Sequence, residues 1–158
     1  MVLETCSECR GIDNSLFQDE LKLHLTLCVM VLADERERHD SCQVIKKCHE
    51  SILNEKINQE PLKLEMRGIE YMNDDPGEVD VLYGKVSTLS SHDLQDIADS
   101  YVSNLIKASL IQRQYERVKL HITLMNTLFR RGVTDVISEF GKNKERETFD
   151  ARQIMEVS

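Results

Sequence analysis

The sequence predicts a single domain in which β-strands and α-helices form two related lobes. Its 158 residues are 41% apolar, which is enough to bury one core. A six-residue motif occurs twice with one difference, as KLHLTL at residues 22–27 and as KLHITL at residues 119–124. Each copy alternates apolar and polar residues like a half-buried strand, and each lies near a helical pattern. The repeat is therefore of a strand-and-helix unit, and we expect an approximate two-fold axis between the copies.

The first strand is predicted to follow an irregular start. Residues 1–20 are polar, include Gly11 and Asp13, and show no sustained period. We expect an irregular segment there and the domain proper over residues 21–158. From residue 21 to residue 32 every second side chain is Leu or Val. This alternation predicts one long strand with a fully apolar face that enters the core.

A helix and a hairpin are predicted to follow. Residues 34–57 carry apolar side chains at spacings of three and four, which predicts an amphipathic helix. Residues 62–72 and 79–87 flank NDDPGE, a cluster of turn-forming residues. These two segments therefore predict the strands of a hairpin.

The second copy of the repeat is predicted to follow a second helix. Residues 90–111 predict an amphipathic helix with Ser90 or Ser91 as its N-cap. Residues 118–125 then repeat the alternation of the first predicted strand, with apolar side chains on one face and polar side chains on the other. The predicted polar face of this strand carries Lys119, His121, Thr123 and Met125. Near the end of the sequence, Asp150 is predicted to cap a short helix.

Charge and cysteine content narrow the class of protein. A net charge of −8 argues against a surface that coats polynucleotides, so any nucleic-acid contact should be local. Five cysteines without a framework spacing predict reduced thiols and an intracellular protein. Cys6 and Cys9 form a lone CxxC pair, and without a second pair we expect neither a metal nor another cofactor. No long apolar run or signal pattern is visible, so we expect no membrane contact.

The repeated polar residues predict a site for phosphoester chemistry. If the two strands meet, two His and two Thr line one cleft. One neutral imidazole can accept a proton while the other, protonated, donates one to the leaving oxygen. Thr hydroxyls can bond the non-bridging oxygens, and the two Lys can offset the growing charge without a metal. The predicted catalytic residues are His24 and His121, and the predicted phosphate-binding residues are Thr26, Thr123, Lys22 and Lys119. The alternative is a duplicated sheet whose polar face is merely solvated.

The two His-x-Thr motifs resemble the signature of the two-histidine (2H) phosphoesterase superfamily, which includes RNA 2′,3′-cyclic phosphodiesterases. Longer segments are similar to the phosphoesterase domain of the A-kinase-anchoring-protein nuclear-localisation type: SLFQDELKLHLTL, GIEYMNDDPGEVDVLYGKV, VKLHITLMNTLFR and KERETFDARQI. This resemblance implies an α+β, two-lobed fold with pseudo-two-fold related antiparallel sheets and flanking helices. It implies that His24 and His121 are the catalytic histidines and that Thr26 and Thr123 bind phosphate.

The resemblance also implies a cellular context. It implies a nuclear subunit of a transcriptional coactivator complex that is associated with the repair of alkylated nucleic acid. The expected partners are the other subunits of the activating signal cointegrator complex and an RNA end or nucleotide phosphoester. Members of the family usually carry an RNA-binding KH domain ahead of this domain, and no GXXG loop occurs here. The phosphoesterase domain of the family normally has a strand and a helix before the first motif and further strands after the second, so we expect a partial domain, truncated at both ends.

Two hypotheses of function follow from these observations. The first is a metal-independent phosphoesterase that acts on RNA ends or nucleotide phosphoesters. The second is a non-catalytic module that holds RNA or docks in the coactivator assembly through its acidic surface. The paired motifs favour the first hypothesis, and the expected truncation and the charge favour the second.

Overall fold

A computed structural model of the chain describes residues 9–52, 61–89, 93–112, 116–130 and 146–156. The predicted α+β fold class is confirmed, because the described residues form three α-helices and an antiparallel three-stranded sheet of order β1-β2-β3. The helices are α1 (Glu35–Ile52), α2 (Leu94–Lys107) and the short α3 (Arg152–Glu156). The strands are β1 (Leu64–Tyr71), β2 (Val81–Thr88) and β3 (His121–Asn126).

The chain divides into two compact units, each assembled from separate segments. The first unit comprises Met1–His24, Arg67–Lys85 and His121–Ser158, and the second comprises Leu25–Met66 and Val86–Leu120. The core of the first unit consists of Leu16, Val79, Leu82, Met125, Phe149, Ala151 and Ile154. In the second unit α1 packs on α2 around Cys48, Ile52 and Ile97. Leu16 is fully buried although it precedes residue 21, where the domain is predicted to begin, and that boundary stays a prediction.

Local side-chain contacts explain where the helices begin. At the start of α1, Asp34 Oδ1 accepts the Glu37 N–H at 2.8 Å, and Glu37 in turn accepts the Ala33 N–H at 2.6 Å. This reciprocal pair satisfies two N–H groups at the helix start. The predicted helix was longer, but residues 53–57 lie outside the described part.

The other two helices also begin at aspartates. The N-cap of α2 is Asp93, which accepts the Gln95 N–H at 2.8 Å, whereas the predicted caps Ser90 and Ser91 lie outside the described residues. Asp150 accepts the Arg152 N–H at 3.0 Å where α3 begins, as its predicted capping role requires. No helix among the described residues is long and apolar enough to span a bilayer.

A bulge in β3 determines which side chains reach the core. The antiparallel register pairs Leu82 with Met125 but the next residue, Tyr83, with Thr123, so Leu124 is the extra residue. The first pair therefore faces the core, where Met125 is 1% exposed, and the second pair faces the opposite side. The prediction that Met125 shares a face with Thr123 is wrong, because strict alternation holds only in an unbulged strand.

The predicted long strand over residues 21–32 is also wrong. Glu20–Lys22 forms a 3₁₀ turn, and in the described residues that follow before α1 only Leu25 takes part in a bridge. The side chains predicted to enter the core are largely in solvent: Leu21 is 90% exposed, Val29 77% and Val31 90%. An alternating pattern indicates which face a strand would bury, but a strand forms only where a neighbour accepts its backbone hydrogen bonds. The described residues form one three-stranded sheet, whereas the family resemblance implies a pair of antiparallel sheets.

Candidate functional site

The second copy of the motif lies on a regular strand beside β2. His121 and Thr123 project from the same face of β3, because strand side chains alternate. Their partners across the sheet are Lys85 and Tyr83, respectively, and cross-strand partners share a face. His121 and Thr123 are half-buried, and Lys85 is exposed. The structure therefore brings these four side chains together on the face of the sheet opposite Met125.

A carboxylate on β1 links two members of this face. Glu70 Oε2 accepts a hydrogen bond from the Tyr83 hydroxyl at 3.1 Å, and Glu70 Oε1 pairs with Lys85 Nζ at 2.9 Å. The Tyr83 ring meets the His121 ring nearly edge-on, with centroids 5.2 Å apart and an angle of 66° between the planes. We call Glu70, Tyr83, Lys85, His121 and Thr123 the polar sheet face.

Burial and a carboxylate neighbour raise the pKa of one member of the polar sheet face. Burial raises the pKa of the Tyr83 phenol, and its hydrogen bond to the Glu70 carboxylate raises that pKa further, so Tyr83 remains a donor. The Lys85 and Glu70 side chains are 53% and 47% exposed. An ion pair this exposed contributes at most about 1 kcal/mol to stability, so water or a ligand can readily replace either partner.

The first copy of the motif is held by local contacts. Lys22 ends the 3₁₀ turn, and its backbone oxygen lies 2.6 Å from His24 Nδ1. A carbonyl oxygen can only accept, so this contact requires the proton on Nδ1. In the neutral imidazole Nε2 then carries the lone pair, and His24 would accept or donate the exchanged proton through Nε2. Both Lys22 and His24 are exposed.

A backbone bridge connects the approach to the first copy with the strand of the second. Phe17 forms an antiparallel bridge with Met125, and the Gln18 N–H donates to the Leu124 oxygen at 2.8 Å. Because the pairing is antiparallel, the chain that leads forward to His24 and the chain that leads back to His121 leave this bridge in the same direction. Both histidines belong to the first compact unit.

The remaining predicted residues belong to the second unit. Thr26 is half-buried on the irregular segment after His24, and Lys119 is exposed just before β3. Thr26 does not share a strand face with Lys22 and His24, because no strand forms there. The phosphate-binding roles of Thr26 and Lys119 stay predictions from the repeat.

Sequence reasoning missed three members of the polar sheet face: Glu70, Tyr83 and Lys85. The letters VLYGKV already place Tyr83 and Lys85 two residues apart on one face of the predicted hairpin strand. Their relation to His121 depends on the cross-strand register, which the bulge at Leu124 alters. A register of this kind cannot be read from one sequence, so nothing in the letters alone joined these residues to the motif.

No cluster of His, Cys, Asp or Glu in the described part of the chain could hold a metal ion. The proposed pair Cys6 and Cys9 is described only in part, since Cys6 lies outside the described residues. The Cys9 thiol donates to Gln153 Oε1 at 3.2 Å.

Comparison with known proteins gives two matches. A family model described as the AKAP7 2′5′ RNA ligase-like domain matches residues 2–157. A mouse (Mus musculus) protein named activating signal cointegrator 1 complex subunit 1 is 42% identical over 164 aligned residues. The alignment covers 99% of this chain and 46% of the mouse protein, so the chain spans about half the length of this curated relative.

Proposed function

The chain belongs to the AKAP7 2′5′ RNA ligase-like domain family, a 2H phosphoesterase type of domain, and from this premise we propose that it acts on the phosphoester of an RNA end or nucleotide. The observation that carries the proposal is the polar sheet face, on which His121 and Thr123 lie beside Lys85. This face offers a proton-transfer group and a hydroxyl donor on β3 and a cation on the neighbouring strand β2. Groups of these three kinds can catalyse phosphoester chemistry without a metal.

The proposed chemistry uses the two histidines as an acid–base pair. His24 exchanges a proton through Nε2, because Nδ1 is engaged with the Lys22 carbonyl. His121 serves the opposite side of the reacting phosphorus, and Thr123 donates its hydroxyl to a non-bridging oxygen. Thr26, Lys22 and Lys119 complete the proposed phosphate-binding set. The near symmetry of the two motifs leaves open which histidine is the acid and which the base.

We propose that the chain works as a nuclear subunit of a coactivator complex. The support is the mouse relative, whose printed name makes it a subunit of such a complex. The proposed protein partners are the other subunits of the activating signal cointegrator complex. Association with the repair of alkylated nucleic acid, which the family resemblance implies, belongs to the same proposal.

Single histidine variants test the proposed chemistry. His24→Ala and His121→Ala should each abolish hydrolysis of a 2′,3′-cyclic nucleotide, because each removes one of the two proton-transfer groups. His39→Ala is the matched control, since His39 is exposed on α1. Circular dichroism and a dispersed amide spectrum must show that each variant is folded. Appreciable turnover by the double variant would rule out the acid–base scheme.

A non-catalytic interaction module is the second candidate. The observation that favours it is the exposure of Val29 and Val31 just after the first motif, since exposed apolar side chains can mark interaction surfaces. This candidate predicts that capture of partner subunits survives loss of both histidines. Loss of capture in the folded double variant His24→Ala/His121→Ala would count against it.

A further inference from the structure

We propose that Lys85 binds the phosphoester at the second motif and that Glu70 competes with this ligand for the Lys85 ammonium. This inference rests on the proposed function, because it names a further ligand-binding residue of the same site. The sequence motif assigns the cationic role to Lys22 and Lys119. The structure adds a third lysine, Lys85, which is distant from the second motif in sequence but is the cross-strand partner of His121.

The sheet register places Lys85 beside the second histidine. Lys85 and His121 are direct partners in the antiparallel pairing of β2 and β3, and the next partners on the same face are Tyr83 and Thr123. Side chains of direct partners on one face lie close enough to contact a common group. A phosphate oxygen that accepts from the Thr123 hydroxyl therefore has Lys85 on the neighbouring strand.

The Lys85 side chain extends across β1 to reach Glu70. A Cβ built on Gly68 would lie 3.1 Å from Lys85 Cε and 3.7 Å from Lys85 Nζ, so the lysine stem passes directly over this glycine. Gly68 has φ of +81°, a conformation that glycine adopts without strain. The lack of a side chain at Gly68 thus gives Lys85 a path to Glu70, where its ammonium is held at 2.9 Å.

The ion pair is suited to exchange with a ligand. Both side chains are about half exposed, so the pair is stabilised only weakly and a phosphoester can approach the ammonium from solvent. Phosphate oxygens form short, charge-assisted hydrogen bonds with ammonium groups. When Lys85 turns to the ligand, Glu70 keeps the hydrogen bond from the Tyr83 hydroxyl, whose ring contacts His121. The carboxylate is therefore not left without a donor.

Two substitutions with opposite expected signs test the proposal. The measurement is the dissociation constant of 2′,3′-cyclic AMP, from amide shifts in a titration of the whole chain. Lys85→Met should weaken binding by about tenfold, because a charge-assisted contact is lost. Glu70→Gln should tighten binding by about threefold, because the competing charge is removed while the amide can still hydrogen-bond to Tyr83. Lys46→Met, an exposed lysine on α1, is the control and should bind like the unmodified chain.

The outcomes separate this inference from the proposed function. Unchanged binding by Lys85→Met would overturn the inference, and the proposed function would stand if His121→Ala still abolished hydrolysis of the cyclic nucleotide. Equal weakening by Lys85→Met and by Glu70→Gln would also overturn it, since the ion pair would then only hold the sheet face in shape. If the unmodified chain showed no shifts at His121 and Thr123, the proposed function and the inference would both be wrong.

Discussion

The two copies of the repeated motif share five of six letters but have different local structures. The second copy lies mainly on β3, whose backbone pairs with β2 from Lys85 to Val81. The first copy begins in a 3₁₀ turn and continues without a strand. Identical side-chain patterns therefore produce a strand only where a neighbouring backbone is available. What differs between the copies is the set of backbone partners, not the residues themselves.

The residues just before each copy also differ in the partners of their backbone hydrogen bonds. The Val118 N–H donates to Asp99 Oδ1 at 2.7 Å, and the Val118 oxygen accepts from Gln95 Nε2 at 2.8 Å, so α2 holds both backbone groups. The equivalent residue of the first copy, Leu21, donates its N–H to Asp19 Oδ1 at 2.9 Å, two residues before it. The backbone N–H just before the second copy is held by a helix, whereas the N–H just before the first copy is held by its own turn.

The largest expected difference between the copies is in core packing. Met125→Ala should lower the free energy of unfolding by about 2–5 kcal/mol, because it leaves a cavity in the core of the first unit. Val31→Ala, in the segment that follows the first copy, should change it by less than about 0.5 kcal/mol, since Val31 is 90% exposed. Urea unfolding followed by circular dichroism measures both. Similar losses for the two variants would mean that the first copy is packed as well as the second.

A smaller effect is expected at the helix anchor of the second copy. Burial raises the pKa of Asp99, but hydrogen bonds from the Val118 backbone and the Arg117 and Gln95 side chains outweigh it, so the pKa lies below its ordinary value. A lowered pKa stabilises the fold above the unfolded value of about 3.9, and this contribution is lost as the pH falls below it. Asp99→Asn should therefore cost about 1–2 kcal/mol at pH 7, and less at pH 3.

Unfolding curves of the unmodified chain and Asp99→Asn at pH 7 and pH 3 check this prediction. Asp93→Asn is a useful control, because asparagine can replace aspartate as the N-cap of α2. A gap between the unmodified chain and Asp99→Asn that stays constant with pH would show that the Asp99 charge does not anchor Val118.

The smallest effect is expected at the turn of the first copy. Asp19→Ala removes the acceptor for the Leu21 N–H and should cost about 0.5–1 kcal/mol at most, as for an exposed cap. Hydrogen exchange of the Leu21 amide should become faster, while exchange of the Val118 amide should not change. Faster exchange at both amides would indicate that the two anchors are coupled.

The sequence predicts those elements whose formation depends on nearby residues and fails for those that depend on a distant partner. The helices and the hairpin strands were predicted to within a few residues where they are described, because helical periodicity and turn residues act over short distances. The strand over residues 21–32 failed because the pattern contains no information about whether a partner strand is present. Met125 was assigned to the wrong face because one bulged residue, Leu124, shifts the alternation.

The sequence predicts only those residues of the candidate site that belong to the repeated motif. His121 and Thr123 share a face as the alternation requires, and His24 lies in the same compact unit as His121. Glu70, Tyr83 and Lys85 come from other strands, and their place beside His121 follows from long-range pairing. Such pairing depends on tertiary structure, so a motif found in sequence can identify a site without identifying its neighbours.

The bulge at Leu124 affects which substitutions and deletions β3 can accept during evolution. Because one extra residue separates Met125 from Thr123, the core half and the polar half of β3 can accept substitutions independently. New side chains at 121 and 123 alter the solvent side without touching the packing around Met125. Deletion of Leu124 would remove the bulge and leave Leu82 opposite Met125 and Tyr83 opposite Thr123 in a regular ladder. The strand can therefore lose its bulge residue and still present Met125 to the core and Thr123 to the opposite face.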